Sequence, residues 1–296
     1  MRVLLTGATG YIGSAVLDAL VGAGHDVQAL VRDVGKAEAI EAPGVTPVVG
    51  DLQDVDHLGA LASVAEGVVH TASPGDETSA RVDHGVVDAV VGALADSGKP
   101  FVYTAGLWDY GPGQEITEAT SFSPPLLTSW RPEVTARVLD ARGVRSVVVA
   151  PGLAFGRQER LLHLVTGAPC TDDGDPALVT IGAGSQHWSP VHVDDLADLY
   201  VRALEQGEAG STFIGVDGTQ PTVGDLAAVA SRARGLEGRV ATETPEETHE
   251  RLGVLAEPLL MDQRASGARA RQLLGWSPQQ LDLTAHVAAT TAVADN

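Results

Sequence analysis

Thr6-Gly7-Ala8-Thr9-Gly10-Tyr11-Ile12-Gly13 is the stretch from which the rest of the chain can be read. Ahead of it runs Val3-Leu4-Leu5, a short apolar segment of strand type, and behind it residues 14–23 carry apolar side chains at helical spacing. Three glycines at such a junction have three separate uses. One makes the tight turn, a second lets the main chain approach a pyrophosphate, and the third allows close packing of helix on strand. The free N–H groups at the start of the helix then face the phosphates. The loop is therefore read as a dinucleotide-binding turn.

Further strands are predicted at 27–32, 45–50, 68–71, 101–104, 146–150 and 212–216. Helical patterns occupy 79–95, about 129–141, 194–205, with Asp194 as its cap, and 221–234, with Thr222 at the N-cap. Strands separated by helices imply a parallel sheet covered on both faces, an α/β Rossmann-type doubly wound fold. After Pro151-Gly152 the pattern loosens, and Gly, Pro and Asp cluster over 167–176. The expected division is a nucleotide-binding domain over 1–155 with 191–217, and a smaller C-terminal substrate-binding region over 156–190 and 218–296. No internal repeat is present.

Composition narrows the function. A formal net charge of −20 disfavours a nucleic-acid partner, whose phosphates need a basic surface. No apolar run approaches the roughly 18 residues of a membrane span, and the first strand starts too early for a signal peptide. Cys170 is the single cysteine, so a reducing cytoplasm is expected; separately, the expected partner is a small-molecule substrate, and the chain a monomer or homodimer. His192 with Asp194 and Asp195 sits at a strand–helix junction and is not read as a metal cluster; no metal is expected.

Several further motifs follow in order: Gly50-Asp51-Leu52 after the third strand, His70-Thr71-Ala72-Ser73 after the fourth, Pro151-Gly152-Leu153 after the sixth, Val191-His192-Val193-Asp194-Asp195-Leu196-Ala197, and Leu274-Gly275-Trp276 with Pro278. Together with the glycine loop they resemble the short-chain dehydrogenase/reductase superfamily in its extended, NAD-dependent epimerase/dehydratase-like branch, over nearly the whole chain. The resemblance implies that Gly7, Thr9, Gly10, Tyr11, Ile12 and Gly13 hold the pyrophosphate. It puts Asp51 and Leu52 beside the adenine, Thr71, Ala72 and Ser73 along the cofactor, and Pro151 and Leu153 on its nicotinamide side.

The acidic residue that would bind the ribose hydroxyls of NAD belongs near the end of the second strand. That position is Val31, followed by Arg32 and, one turn on, Lys36. A guanidinium matches a 2′-phosphate in charge and bidentate geometry, so NADP(H) is expected over NAD(H). Asp33 leaves an alternative, since it can pair with Arg32 or serve a ribose itself.

The resemblance also implies a Tyr-x-x-x-Lys pair on the helix before the sixth strand, and the chain lacks one. None of Tyr11, Tyr103, Tyr110 and Tyr200 has a lysine four residues later, and the only lysines are Lys36 and Lys99. Leu127 falls at the tyrosine position and Arg131 at the lysine position. Arg131 can bind a ribose as a cation but does not titrate. Thr104, Tyr110, Trp130 and Arg131 are the candidate catalytic residues, with Glu118, Glu133 and His187 as further substitutes. Their bland readings are Glu118 solvated and Glu133 paired with Arg131 or Arg137. The expected function is an atypical NADP(H)-dependent oxidoreductase with a non-standard proton donor. The alternatives are a non-redox isomerase, dehydratase or cyclase on the same fold, and a catalytically silent NADP sensor.

Overall fold

The computed structural model describes residues 1–157, 161–172 and 174–294. Seven parallel strands form the central sheet: β1 (Arg2–Thr6), β2 (Asp26–Val31), β3 (Val45–Val49), β4 (Gly67–His70), β5 (Pro100–Thr104), β6 (Arg145–Pro151) and β7 (Ser211–Gly215). Their spatial order is β7-β6-β5-β4-β1-β2-β3. The order reverses between β1 and β4, and that switch opens a crevice at the carboxyl ends of the strands.

Both faces of the sheet are dry, so the strands read as continuous apolar runs rather than alternating ones. Leu4, Phe101, Tyr103, Val148 and Ala150 pack on one face; Val3, Leu5, Val102, Val147 and Val149 pack on the other. The first face is covered by α3 (Val55–Val64), α4 (Ser79–Leu94) and α5 (Arg131–Leu139). The second is covered by α1 (Tyr11–Gly22) and α6 (Val193–Gln206). Helix α4 presents Val82, Val86, Val87, Val90, Val91 and Leu94 as its buried stripe. Its many valines are poor helix formers, and tertiary burial, roughly 1.5–3 kcal/mol for each such side chain, holds it in shape.

A polar network ties four elements together beneath the crevice. His70 bonds Thr6 Oγ1 through Nδ1 at 2.6 Å and Asp83 Oδ1 through Nε2 at 2.9 Å. The Tyr103 hydroxyl donates to Asp83 Oδ2. All four residues are buried, and burial with the Asp83 charge holds the Tyr103 hydroxyl well above its usual range. An unsatisfied member would be costly there, so the network fixes β1, β4, β5 and α4 in register.

The smaller core gathers Phe155, Leu162, Trp188, Leu226, Leu259 and Val287, with α7 (Val223–Ala233) capped by Thr222 as expected. Ala270, Leu274 and Trp276 instead return to the core of the main sheet, where Trp276 Nε1 donates to Asp195 O at 2.8 Å. This return departs from the expected division, which put all of 218–296 in the smaller region. Helix α6 also differs in its cap. His192, not Asp194, is the N-cap, accepting from Asp194 N at 3.2 Å. The Asp194 carboxylate is drawn instead to Arg157 Nε, 2.7 Å away. Among the described residues no helix is long and apolar enough to cross a membrane.

Candidate functional site

Two adjoining hollows lie along the carboxyl edge of the sheet. The outer one, a groove of about 520 Å³, runs past the ends of β1, β2, β3 and β4. Its wall includes Gly7, Thr9, Gly10, Tyr11 and Ile12 from the glycine loop, then Arg32, Asp51, Leu52, Thr71, Ala72 and Ser73. Gly7 sits at φ +83°, and Gly10 N donates to Gly7 O at 2.8 Å to close the turn. Gly10 is the N-cap of α1, and no side chain caps that helix, so its first-turn amides are left for a ligand. Gly13 does not line the groove. A Cβ there would stand 1.9 Å from Gly7 O, so its lack of a side chain is what lets α1 seat against the loop. The donor set, the open helix end and the volume of the groove fit a dinucleotide.

At the far end of the groove Arg32 and Lys36 both face the hollow, and neither side chain has an ion-pair partner among the described residues. Asp33 is otherwise engaged: its Oδ1 accepts Lys36 N at 2.9 Å as the N-cap of α2 (Val34–Ile40). Asp51 uses Oδ1 to accept Gln53 N at 2.8 Å.

The inner hollow is a pocket of about 140 Å³ past the ends of β5 and β6. Trp108, Leu153, Leu161, Trp188 and Leu259 give it apolar walls, and Arg131, Ser189 and Gln263 are its polar groups. Arg131, Pro151 and Leu153, expected along the cofactor, line this inner pocket and not the outer groove. Gly152 is packed so closely that a Cβ would stand 2.1 Å from Ser189 O.

An NAD(P)H-binding family model matches residues 7–152. An uncharacterized protein of Schizosaccharomyces pombe is 32% identical over 97% of this chain and 98% of its own. The NAD(P)H azoreductase of Xenophilus azovorans is 28% identical, covering 86% of this chain and 82% of that protein. Among solved structures, the dTDP-glucose 4,6-dehydratase of Bacillus anthracis in complex with NAD superposes with a TM-score of 0.81 over 100% of this chain and 97% of that one, at 14% identity, a likeness of fold. The chain belongs to the extended, epimerase-like branch of the short-chain dehydrogenase/reductase superfamily. It thus binds a nicotinamide cofactor.

Against that superfamily's Tyr-x-x-x-Lys pattern the site is incomplete. Leu127 lies in a single 3-10 turn, 36% exposed, and is not on the pocket wall. Arg131 opens α5, with Pro132 next to it in the first turn. Its guanidinium lies 4.9 Å over the Trp130 ring and 3.6 Å from Asp109 Oδ1. Glu133 is therefore not its partner, nor that of Arg137, which pairs with Asp88 at 3.0 Å. Trp130 packs against the main core under Arg131 and does not reach the pocket wall. Thr104 Oγ1 is committed to His70 O at 2.7 Å and the Tyr200 hydroxyl at 2.8 Å. Tyr110 is buried against Phe122 with ring centroids 5.0 Å apart; burial, then the Glu118 and Asp109 charges, push its hydroxyl up, and it lines neither hollow. Glu118 is not simply solvated, because its Oε1 accepts Ile214 N at 2.9 Å on the open edge of β7. His187 Nδ1 bonds Asp262 Oδ1 at 2.9 Å, outside the pocket wall.

Asp109 was missed by sequence reasoning. It is 1% exposed, accepts Gly106 N at 3.1 Å through Oδ2, and has no hydrogen-bond partner on Oδ1. Burial pushes its carboxyl up to about 6, against the opposing pull of Arg131 and the Gly106 amide. A carboxyl raised by folding holds its proton more tightly in the folded chain. Its contribution to stability is then full below about pH 4 and lost as pH rises through about 6. At about 1.4 kcal/mol per unit, the loss is about 3 kcal/mol. Asp109→Asn should remove this dependence. Urea unfolding at pH 4 and pH 7 should show the variant gaining on the wild type by about that amount as pH rises; a constant difference would mean that Asp109 does not titrate there.

Proposed function

We propose that the protein is an NADP(H)-dependent oxidoreductase acting on a small or medium organic substrate. The observation that carries this reading is the pairing of a phosphate-binding groove, ending in two uncompensated cations, with a mostly apolar pocket beside it. In this reading the glycine loop and the α1 amides hold the pyrophosphate, and Arg32 and Lys36 take the 2′-phosphate. Asp51 and Leu52 border the adenine side, and Thr71, Ala72 and Ser73 line the path between. When bound, the cofactor supplies a hydride. The chain's own contribution is orientation, the apolar surroundings of the tryptophan and leucine walls, and a fixed positive charge from Arg131 at the pocket.

No tyrosine, histidine or lysine lines the inner pocket among the described residues. The proton that completes a reduction is therefore assigned to water, and the pH–rate profile should lack the basic limb of a titrating phenol. The same absence favours one second reading, a cofactor sensor without turnover. The reductase activity named for the Xenophilus azovorans relative supports the first. Following NADPH absorbance against a panel of carbonyl, enone and imine compounds separates the two. Substrate-dependent oxidation is expected. NADPH binding with no oxidation across the panel would favour the sensor.

A further inference from the structure

The inner pocket has a more specific chemistry than its membership of a cofactor-binding fold requires. Two indoles, Trp108 and Trp188, and three leucines, Leu153, Leu161 and Leu259, form its walls. Its volume of about 140 Å³ is that of a cavity that accepts a single aromatic ring.

Its polar groups are few, and two of them, Arg131 and Gln263, keep a free valence. Arg131 makes no hydrogen bond to any described residue, and its one charged partner, Asp109, stands at 3.6 Å. Its side chain is only 19% exposed, so the unmatched donors open toward the pocket it lines. Gly106 leaves it room, since a Cβ there would lie 3.2 Å from Arg131 Nη1. Gln263 is 4% exposed and donates both Nε2 hydrogens, to Leu107 O at 2.9 Å and Gly111 O at 2.7 Å. Two carbonyls can be served only by the amide NH₂, so the Oε1 orientation is fixed, and Oε1 has no hydrogen-bond partner among the described residues. Ser189 is used up: its hydroxyl donates to Gln263 O at 3.0 Å and accepts Ala265 N at 2.9 Å.

The wall thus offers one cluster of donors, one lone acceptor and flat apolar faces. From this geometry we infer that the substrate is a compact aromatic compound whose carbonyl or carboxylate oxygen is held by Arg131 and whose hydroxyl or N–H is held by Gln263 Oε1. A sugar nucleotide does not suit the pocket. Its diphosphate would need several cations, the pocket holds one, and its sugar hydroxyls would meet indole and leucine faces. This inference rests on the inner pocket being the substrate side of the proposed oxidoreductase, but it concerns binding and not turnover.

The test uses the full-length protein saturated with NADP⁺ and three probes: 4-hydroxybenzaldehyde, cyclohexanecarbaldehyde and UDP-glucose. Binding is read by quenching of tryptophan emission and by calorimetry. 4-Hydroxybenzaldehyde should bind at least tenfold tighter than cyclohexanecarbaldehyde, and UDP-glucose should not displace it. Arg131→Met should weaken it by about tenfold or more, a charged hydrogen bond being worth that much, and Trp108→Ala should weaken it by a similar factor through loss of an aromatic contact surface. Because Arg131→Met leaves Asp109 buried without its partner, the double variant with Asp109→Asn is measured beside it and should show the same loss. Competition by UDP-glucose, or unchanged 4-hydroxybenzaldehyde affinity in Trp108→Ala and in the double variant, would overturn the inference. NADPH affinity, titrated separately, reports on the cofactor reading, so failure of one is visible without failure of the other.

Discussion

Gly10→Val should abolish measurable cofactor binding while leaving the fold in place. Gly10 is exposed at the groove, with φ −84° and ψ 173°, a backbone conformation that valine adopts without strain. The first Cβ stands 3.2 Å from Gly7 O, close enough to require a small adjustment of the turn. The branched methyls then occupy the space in which a pyrophosphate would meet the open amides of α1. Two lost charge-assisted hydrogen bonds amount to on the order of 3–6 kcal/mol, a hundredfold or more in affinity. Gly13→Ala provides the contrast. Its Cβ would lie 1.9 Å from Gly7 O and 2.7 Å from Thr71 Oγ1, so the loop must open and stability should fall together with binding. NADPH titration with a thermal melt of each variant checks both. If Gly10→Val keeps both its melt and its affinity, the cofactor site lies elsewhere.

Removing Arg32 and Lys36 together should erase a preference for NADPH. Neither cation has an ion-pair partner among the described residues, and Asp33, the one acid at the end of β2, turns one carboxylate oxygen to the cap of α2. Arg32→Ala should cost about 1.5–3 kcal/mol of NADPH binding, tenfold or more. Lys36→Ala should add a smaller loss. NADH affinity should stay nearly constant in both if, as proposed, the two cations meet only the 2′-phosphate. Raised salt should weaken NADPH binding in the wild type more than in the double variant. A parallel fall of NADPH and NADH affinity would assign the two cations to the pyrophosphate or to folding.

The sheet was legible because both of its faces are buried: Val3-Leu4-Leu5 and Val147-Val148-Val149 are runs that only a doubly covered strand allows. Helix α4 was legible for the same reason, through one continuous stripe from Val82 to Leu94. Helix α2 was not, because it buries no residue and so leaves no period in the sequence. The start of α1 was placed at residue 14 and lies at Tyr11, since a glycine N-cap gives none of the usual polar signal. The outer groove follows a local motif and its strand ends, and Lys36 faces it beside Arg32. The inner pocket does not follow such a rule. Trp108, Trp188 and the pair Leu259 and Gln263 come from three separate stretches of the chain, and no motif links them before the chain is folded. Asp109 is not legible in the sequence, because its significance lies in burial beside Arg131. Thr104, just after the fifth strand, and Tyr110 and Trp130, which such a fold could bring to the mouth of the cleft, are each turned toward a structural partner.

In the proposed reading the groove at the β1–β4 switch takes NADP(H) because Arg32 and Lys36 line it past the end of β2, where Asp33 turns one carboxylate oxygen to the cap of α2. Calorimetric titration of the unmodified protein with NADPH and with NADH, at one fixed low salt concentration, tests it most directly. The expected result is one site per chain for NADPH, with affinity about tenfold or more above that for NADH, the size of one charge-assisted hydrogen bond. Equal affinities, or tighter binding of NADH, would contradict the claim.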